Sequence, residues 1–105
     1  MSVAKQYRSM NSQAVLSGLQ TYVNEATTFK SKPGDLETWK AYEPTFKDLE
    51  AVWSVAISRV AAGDSAGDVG FQGLKDFVDK QRDALNSTIR VLKVTQSSLS
   101  SAGAA

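Results

Sequence analysis

Residues 35–60 read DLETWKAYEPTFKDLEAVWSVAISRV, and the order of the apolar side chains in this stretch decides the fold. The apolar residues recur at alternating steps of three and four, a spacing that places them on one face of an α-helix. They are Trp39, Tyr42, Phe46, Leu49, Trp53, Ala56 and Val60. Because both tryptophans of the chain lie on this face, we interpret the stretch as the helix against which the others pack.

Pro44 lies within this helix and admits two interpretations. A proline in a helix interior removes one backbone hydrogen bond and clashes with the preceding turn, at a cost of about 3 kcal/mol. The helix is therefore either continuous but kinked at Pro44, or it ends near Tyr42 and restarts with Pro44 in its first turn. The apolar spacing runs unbroken through Pro44, so we favour the continuous, kinked helix.

Two further amphipathic segments flank this helix, and both have helical spacing. The first spans about Val3 to Lys30, with one slip in the apolar spacing at residues 14–16, and the other spans about Val69 to Gln96. Between the first two helices, Pro33 and Gly34 favour a type II turn, and Asp35 is suited to cap the helix that follows.

The second connection is rich in glycine. Gly63 is suited to end the central helix, and either Ser65 or Asp68 is suited to cap the last one. Residues 1–96 are thus predicted to form a single helical domain, and residues 97–105 a Ser/Ala-rich tail that frays. Three helices of similar length with short connections predict an all-α fold, an up-down-up antiparallel three-helix bundle.

Composition excludes several kinds of chemistry. The chain of 105 residues has no cysteine and no histidine, so disulfides, thiolate metal sites and the commonest general base are absent. The net charge of +1 gives no overall attraction to nucleic acid or to an anionic membrane. There is no apolar run of the roughly 20 residues that a membrane span needs, and no signal-peptide core follows the first residues. We therefore expect a cytoplasmic protein, or one exported without a cleaved signal peptide.

Three short patterns suggest enzymes or cofactor sites but lack the context that those sites require. Residues 63–67 match G-x-S-x-G, yet no strand precedes them and no histidine could take the proton. The glycines from Gly63 to Gly73 lack the Gly-Lys-Ser/Thr of a phosphate loop. Asp76, Asp79 and Asp83 alternate with basic residues, as on a solvated helix face. We predict no catalytic residue, no cofactor, no metal ion and no small-molecule substrate, and we assign the aromatic face to the core rather than to a ligand pocket.

Nucleic-acid binding finds equally little support. Arg90 and Lys93 lie near the end of the last helix, where the negative end of the helix dipole stabilises cations. No basic recognition helix is apparent.

One stretch departs from an ordinary surface, because no charged residue occurs from Ser9 to Asn24. Its polar side chains share one helical stripe, whereas a solvated stripe usually carries Lys and Glu. They are Ser9, Gln13, Ser17, Gln20 and Asn24. Ala14 and Gly18 form a pair of small residues beside it that would allow another helix to approach closely. Interfaces are depleted of charge in the same way, so we predict that this stripe contacts another protein chain.

The chain resembles two families of small exported helical proteins. Like WXG100-type secreted hairpins it is short, lacks cysteine and has helix-turn-helix content, although Trp39-Lys40-Ala41 and Trp53-Ser54-Val55 lack the glycine of that motif and neither tryptophan lies in the turn. Like type III needle subunits it has a proline-containing hairpin turn after a polar first helix, although it adds a third helical segment. Neither resemblance covers a specific motif, so no family is assigned.

These observations predict a non-enzymatic helical protein that acts by contact with another protein. That partner is either a different protein or a second copy of the same chain. A self-assembling, adaptor or structural subunit is the first interpretation. The alternatives are a phage- or plasmid-type regulator that binds one host protein, and a helical-hairpin substrate of a secretion system that uses no cleaved signal.

Overall fold

A computed structural model of the chain describes residues 2–32 and 34–104, except for the side chains of residues 100 and 102–104. The described residues form four helices and no strand, which confirms the all-α prediction. The helices are α1 (Val3–Arg8), α2 (Ser12–Ser31), α3 (Leu36–Ala62) and α4 (Phe71–Ala104).

The prediction of one continuous first helix is wrong, because the chain breaks at residues 9–11 into α1 and α2. Asn11 adopts an extended conformation and its side chain accepts a hydrogen bond from the Ala14 backbone N–H at 2.9 Å, which starts α2. The slip in apolar spacing at residues 14–16 lies just after this break, in the first turns of α2. Val15, rather than Ala14 or Leu16, is the fully buried residue of the first turns of α2.

The connection between α2 and α3 follows the prediction in its described part. Gly34 has a φ of 68°, the left-handed conformation that glycine adopts without strain. Asp35 is the N-cap of α3 and accepts a hydrogen bond from the Thr38 backbone N–H at 3.0 Å. Pro33 lies outside the described residues.

The predicted central helix is α3, and it continues through Pro44, as the unbroken apolar spacing indicated. Its aromatic face is core: Trp39, Phe46 and Trp53 are each less than 5% exposed. Tyr42 and Val60 at the edge of the same face are half-buried.

The end of α3 was predicted correctly and the start of α4 was not. Gly63, with a φ of 90°, is the C-cap of α3. Neither Ser65 nor Asp68 caps α4, which begins at Phe71, since the carboxylate of Asp68 accepts hydrogen bonds from Ser12 instead. At its other end α4 runs on through residues 97–104, and Leu99 packs against the core.

Three polar contacts join α3 to α4, and residues later in α4 contact residues earlier in α3. The indole N–H of Trp53 donates to Asn86 at 2.9 Å, the Lys93 ammonium lies 3.1 Å from the Glu50 carboxylate, and Gln96 donates to Glu43 at 2.7 Å. Helix α2 packs against both α3 and α4, and α1 packs against α3. As a result one face of α2 is enclosed and the opposite face is left outside.

Candidate protein-binding surface

The outer face of α2 carries the polar stripe predicted as an interface. Gln13, Ser17, Gln20 and Asn24 are all exposed along this face, which we call the α2 surface. Their side chains donate or accept no hydrogen bond within the described part of the chain. They span twelve residues, and the eleven steps from Gln13 to Asn24 cover about 17 Å of helix at 1.5 Å per residue.

Ser9 does not belong to this surface. It is the C-cap residue of α1, and its hydroxyl donates to the carbonyl oxygen of Gln6 at 2.7 Å. Although Ser9 is exposed, it lies in the junction that precedes α2, so the stripe begins at Gln13.

The close approach predicted at Ala14 and Gly18 is made by a residue of the same chain. Both residues are half-buried, and the ring of Tyr7 lies directly over Gly18. A Cβ atom at position 18 would stand 2.7 Å from Cζ of Tyr7, closer than real Cβ contacts come. Tyr7 also meets Tyr22 edge-on, with ring centroids 6.5 Å apart. Gly18 therefore leaves room on α2 for the ring of Tyr7, which reaches it from α1.

A polar cluster at the start of α2 fixes the direction of the helix. We call it the polar corner, and it consists of Ser12, Arg59 and Asp68. The Ser12 backbone N–H donates to Oδ1 of Asp68 at 2.7 Å, and the Ser12 hydroxyl donates to Oδ2 at 2.6 Å. Asp68 thereby satisfies the first free N–H of α2 from a residue that is 56 positions away.

Arg59 connects the polar corner to α1. Its Nη2 donates to the Arg8 carbonyl oxygen at 3.0 Å, and its Nη1 lies 3.8 Å from the Asp68 carboxylate. Ser12 is completely buried, and the Asp68 side chain is only 10% exposed. The hydrogen bonds from Ser12, and then the charge of Arg59, hold the pKa of Asp68 below its usual range despite burial.

The glycine-rich loop that supplies Asp68 also lines an open cleft of about 720 Å³ against the α1–α2 junction. Ser65 is exposed in this loop, and the preceding element is α3 rather than a strand. Gly63, Gly67 and Gly70 have positive φ values and shape the loop, whereas Gly73 lies inside α4. Without a histidine in the chain, Ser65 has no partner of the usual kind for nucleophilic catalysis.

The acidic residues of α4 make surface contacts on their own helix. Asp76 accepts a hydrogen bond from Gln72 at 2.8 Å, and Asp79 pairs with Lys75 at 2.9 Å. Among the described residues no group of three or more Asp or Glu side chains could hold a metal ion. In the same part of the chain, no helix is both long and apolar enough to cross a membrane.

Four aromatic side chains gather at the end of α2 that lies opposite the polar corner. Phe29 stacks on Tyr42 with ring centroids 4.4 Å apart, and Trp39 lies 5.5 Å from Phe29 and 5.6 Å from Phe46. We call these four residues the aromatic end. The Tyr42 hydroxyl is buried without a hydrogen-bond partner among the described residues, and this burial raises the pKa of Tyr42 to about 12.

Sequence reasoning missed the polar corner because its members are far apart in the chain. It identified Asp68 as a capping residue, which is the correct chemistry, but assigned it to the wrong helix. Comparison with protein-family models, with curated proteins and with solved structures gave no match for this chain.

Proposed function

We propose that this protein acts without catalysis, as a self-assembling, adaptor or structural subunit whose α2 surface binds another protein chain. In this proposal α2, α3 and α4 form an up-down-up antiparallel three-helix bundle that presents the α2 surface outward. The observation that carries the proposal is the exposure of Gln13, Ser17, Gln20 and Asn24 on a face without charge.

The chemistry of this face favours a protein partner. Its groups are neutral donors and acceptors, and transferring them from water to an interface costs far less than transferring Lys or Glu. Within α2 the only charged residues are Glu25 and Lys30, both beyond the end of the stripe. A partner could therefore cover the helix from Gln13 to Asn24 without burying an ionised side chain.

The anchoring of α2 also favours binding. The polar corner holds its first residue and the aromatic end holds Phe29, so the helix between them is fixed at both ends. A surface that is rigid before binding loses little conformational entropy when the partner arrives.

The test is Ser17→Glu, with Ser54→Glu on the exposed side of α3 as the matched control. A buried, unpaired carboxylate costs about 3 kcal/mol or more, so we expect Ser17→Glu to weaken assembly roughly a hundredfold. Sedimentation velocity would measure self-association, and circular dichroism would verify that both variants fold like the wild type.

Several outcomes separate the possible roles of the α2 surface. Self-association that is lost in Ser17→Glu and kept in Ser54→Glu supports an assembly subunit. A monomeric wild type that retains one cellular protein, which Ser17→Glu releases, supports the regulator. If the two variants assemble and bind equally well, the α2 surface is ordinary solvated surface and the proposal fails.

A further inference from the structure

Helix α1 is held to the rest of the fold by few contacts. None of its six residues is buried, and Val3 and Tyr7 are only half-buried against the core. The Tyr7 ring fills the space over Gly18, while Nη2 of Arg59 donates to the carbonyl oxygens of the last two residues of α1. Segments that bury so little area are among the first to open locally in a folded protein.

The junction between α1 and α2 has a sequence that can become helical. Residues 9–11 are Ser, Met and Asn, and neither proline nor glycine occurs from Val3 to Ser17. Asn11 interrupts the helix because its backbone is extended, with φ −72° and ψ 167°. That φ already suits a helix, so a rotation about ψ of Asn11, with adjustment of the adjoining residues, would join α1 and α2 into one helix from Val3 to Ser31.

A continuous helix would separate Tyr7 from its present binding site. Tyr7 and Gly18 are eleven residues apart, which is about 17 Å along a helix at 1.5 Å per residue. A tyrosine side chain does not reach that far, so the space over Gly18 would be vacant while the ring of the same chain became exposed. Each copy would then present both halves of the contact, a free ring and an empty site.

We propose that two copies of this chain exchange α1, so that Tyr7 of each copy occupies the space over Gly18 of the other. The structure already shows these two surfaces fitted together within one chain, with Tyr7 also meeting Tyr22 edge-on. Exchange of an identical element between two copies gives a closed, two-fold dimer. The inference rests on the proposed function in taking self-association as the role of the protein, and it names the segment that is exchanged.

The short junction determines the concentration at which exchange competes with the closed monomer. Three residues link α1 to α2, which keeps α1 near its own site at an effective concentration of about 1 mM. We therefore expect wild type to be mostly monomeric at micromolar concentration and to dimerise as it approaches about 1 mM.

The first test compares two substitutions at the junction. Asn11→Ala removes the side-chain cap of α2 and favours a continuous helix, whereas Asn11→Gly keeps most of the capping and disfavours the continuous helix. Each junction should differ about fivefold between the two variants, and a dimer contains two junctions. Asn11→Ala should therefore dimerise roughly 25-fold more tightly than Asn11→Gly. Analytical ultracentrifugation over a concentration series would measure both.

The second test uses complementary variants in the Asn11→Ala background. Tyr7→Ala empties the space over Gly18, and Gly18→Leu fills that space and expels the ring. Each alone should weaken dimerisation at least about tenfold. An equimolar mixture should restore a dimer, because one site then joins Tyr7 to Gly18 and the other sets the small substituted side chain against the large one. Tyr7→Phe keeps the ring and is the control that should still dimerise.

Failure of this inference is distinguishable from failure of the proposed function. The exchange is overturned if Asn11→Ala stays monomeric at about 1 mM, if Asn11→Gly dimerises equally tightly, or if the mixture of complementary variants stays monomeric. Restoration in the mixture together with an unaffected Ser17→Glu would establish the exchange and remove the α2 surface. Self-association that is lost in Ser17→Glu but insensitive to positions 7, 11 and 18 would keep the α2 surface alone.

Discussion

Helix α2 is held at its two ends by different kinds of interaction. At its start, the buried Ser12 donates two hydrogen bonds to Asp68, a residue 56 positions away. At its far end, Phe29 packs among the rings of α3. The polar corner depends on geometry, since each group there is stable in the interior only while its partners are in place. The aromatic end depends mainly on the area that it removes from water, which is less sensitive to direction.

This difference predicts which substitution is most costly. Trp39 is 1% exposed and touches three other aromatic rings, so Trp39→Ala should reduce the free energy of unfolding by about 3–5 kcal/mol. Trp39→Phe keeps a ring and should lose clearly less. Urea denaturation would measure both. A loss below about 1 kcal/mol in Trp39→Ala would mean that the rings do not anchor this end of α2.

The polar corner should be nearly as sensitive to the loss of one partner. Asp68→Ala leaves the Ser12 N–H and hydroxyl buried without acceptors and removes the charge beside Arg59. We expect a loss of about 2–4 kcal/mol. Asp64→Ala, in the same loop but exposed, is the control and should change stability by less than about 0.5 kcal/mol.

The loss of stability at low pH gives a second measure of what Asp68 contributes to the folded state. Because the pKa of Asp68 is lowered in the folded protein, its contribution is present above the unfolded pKa of about 4 and is lost as the pH falls through the folded value. The stability of wild type should therefore drop more steeply below pH 4 than that of Asp68→Ala. Parallel acid profiles for the two proteins would show that Asp68 is not held by the polar corner.

The two ends also differ in how well the sequence predicts them. At the aromatic end the signals are local: the spacing of Trp39, Tyr42 and Phe46, a left-handed glycine at position 34 and a capping aspartate next to it. Neighbouring residues determine these features, so they were predicted correctly. At the polar corner the partners come from three separate segments, and nothing near Ser12 in the sequence indicates that Asp68 reaches it.

The α2 surface has some features that the local sequence predicts and others that depend on distant residues. Its uncharged stripe was visible from residue types alone, and the exposure of Gln13 to Asn24 agrees with a face outside the core. The break that separates Ser9 from the stripe was not anticipated, because Asn11 reads equally well as a helical polar residue or as a cap. The small residue Gly18 was noticed, but only the folded chain shows that Tyr7 of α1 covers it.

Pro44 gives the smallest expected effect and tests how tightly the aromatic end is specified. It lies inside α3 between Tyr42 and Phe46, and it cannot donate a hydrogen bond to the carbonyl of Lys40. Pro44→Ala restores that donor but also frees the unfolded chain, which offsets about 0.4–1 kcal/mol of the gain. We therefore expect unchanged stability or a gain of up to about 2 kcal/mol in thermal and urea unfolding. Thr45→Ala, at the next position, controls for the general helix-favouring effect of alanine. A loss of stability in Pro44→Ala alone would mean that the packing of Tyr42 and Phe46 requires the backbone conformation that proline fixes at this position. The rings of the aromatic end would then depend on direction as much as the hydrogen bonds of the polar corner do.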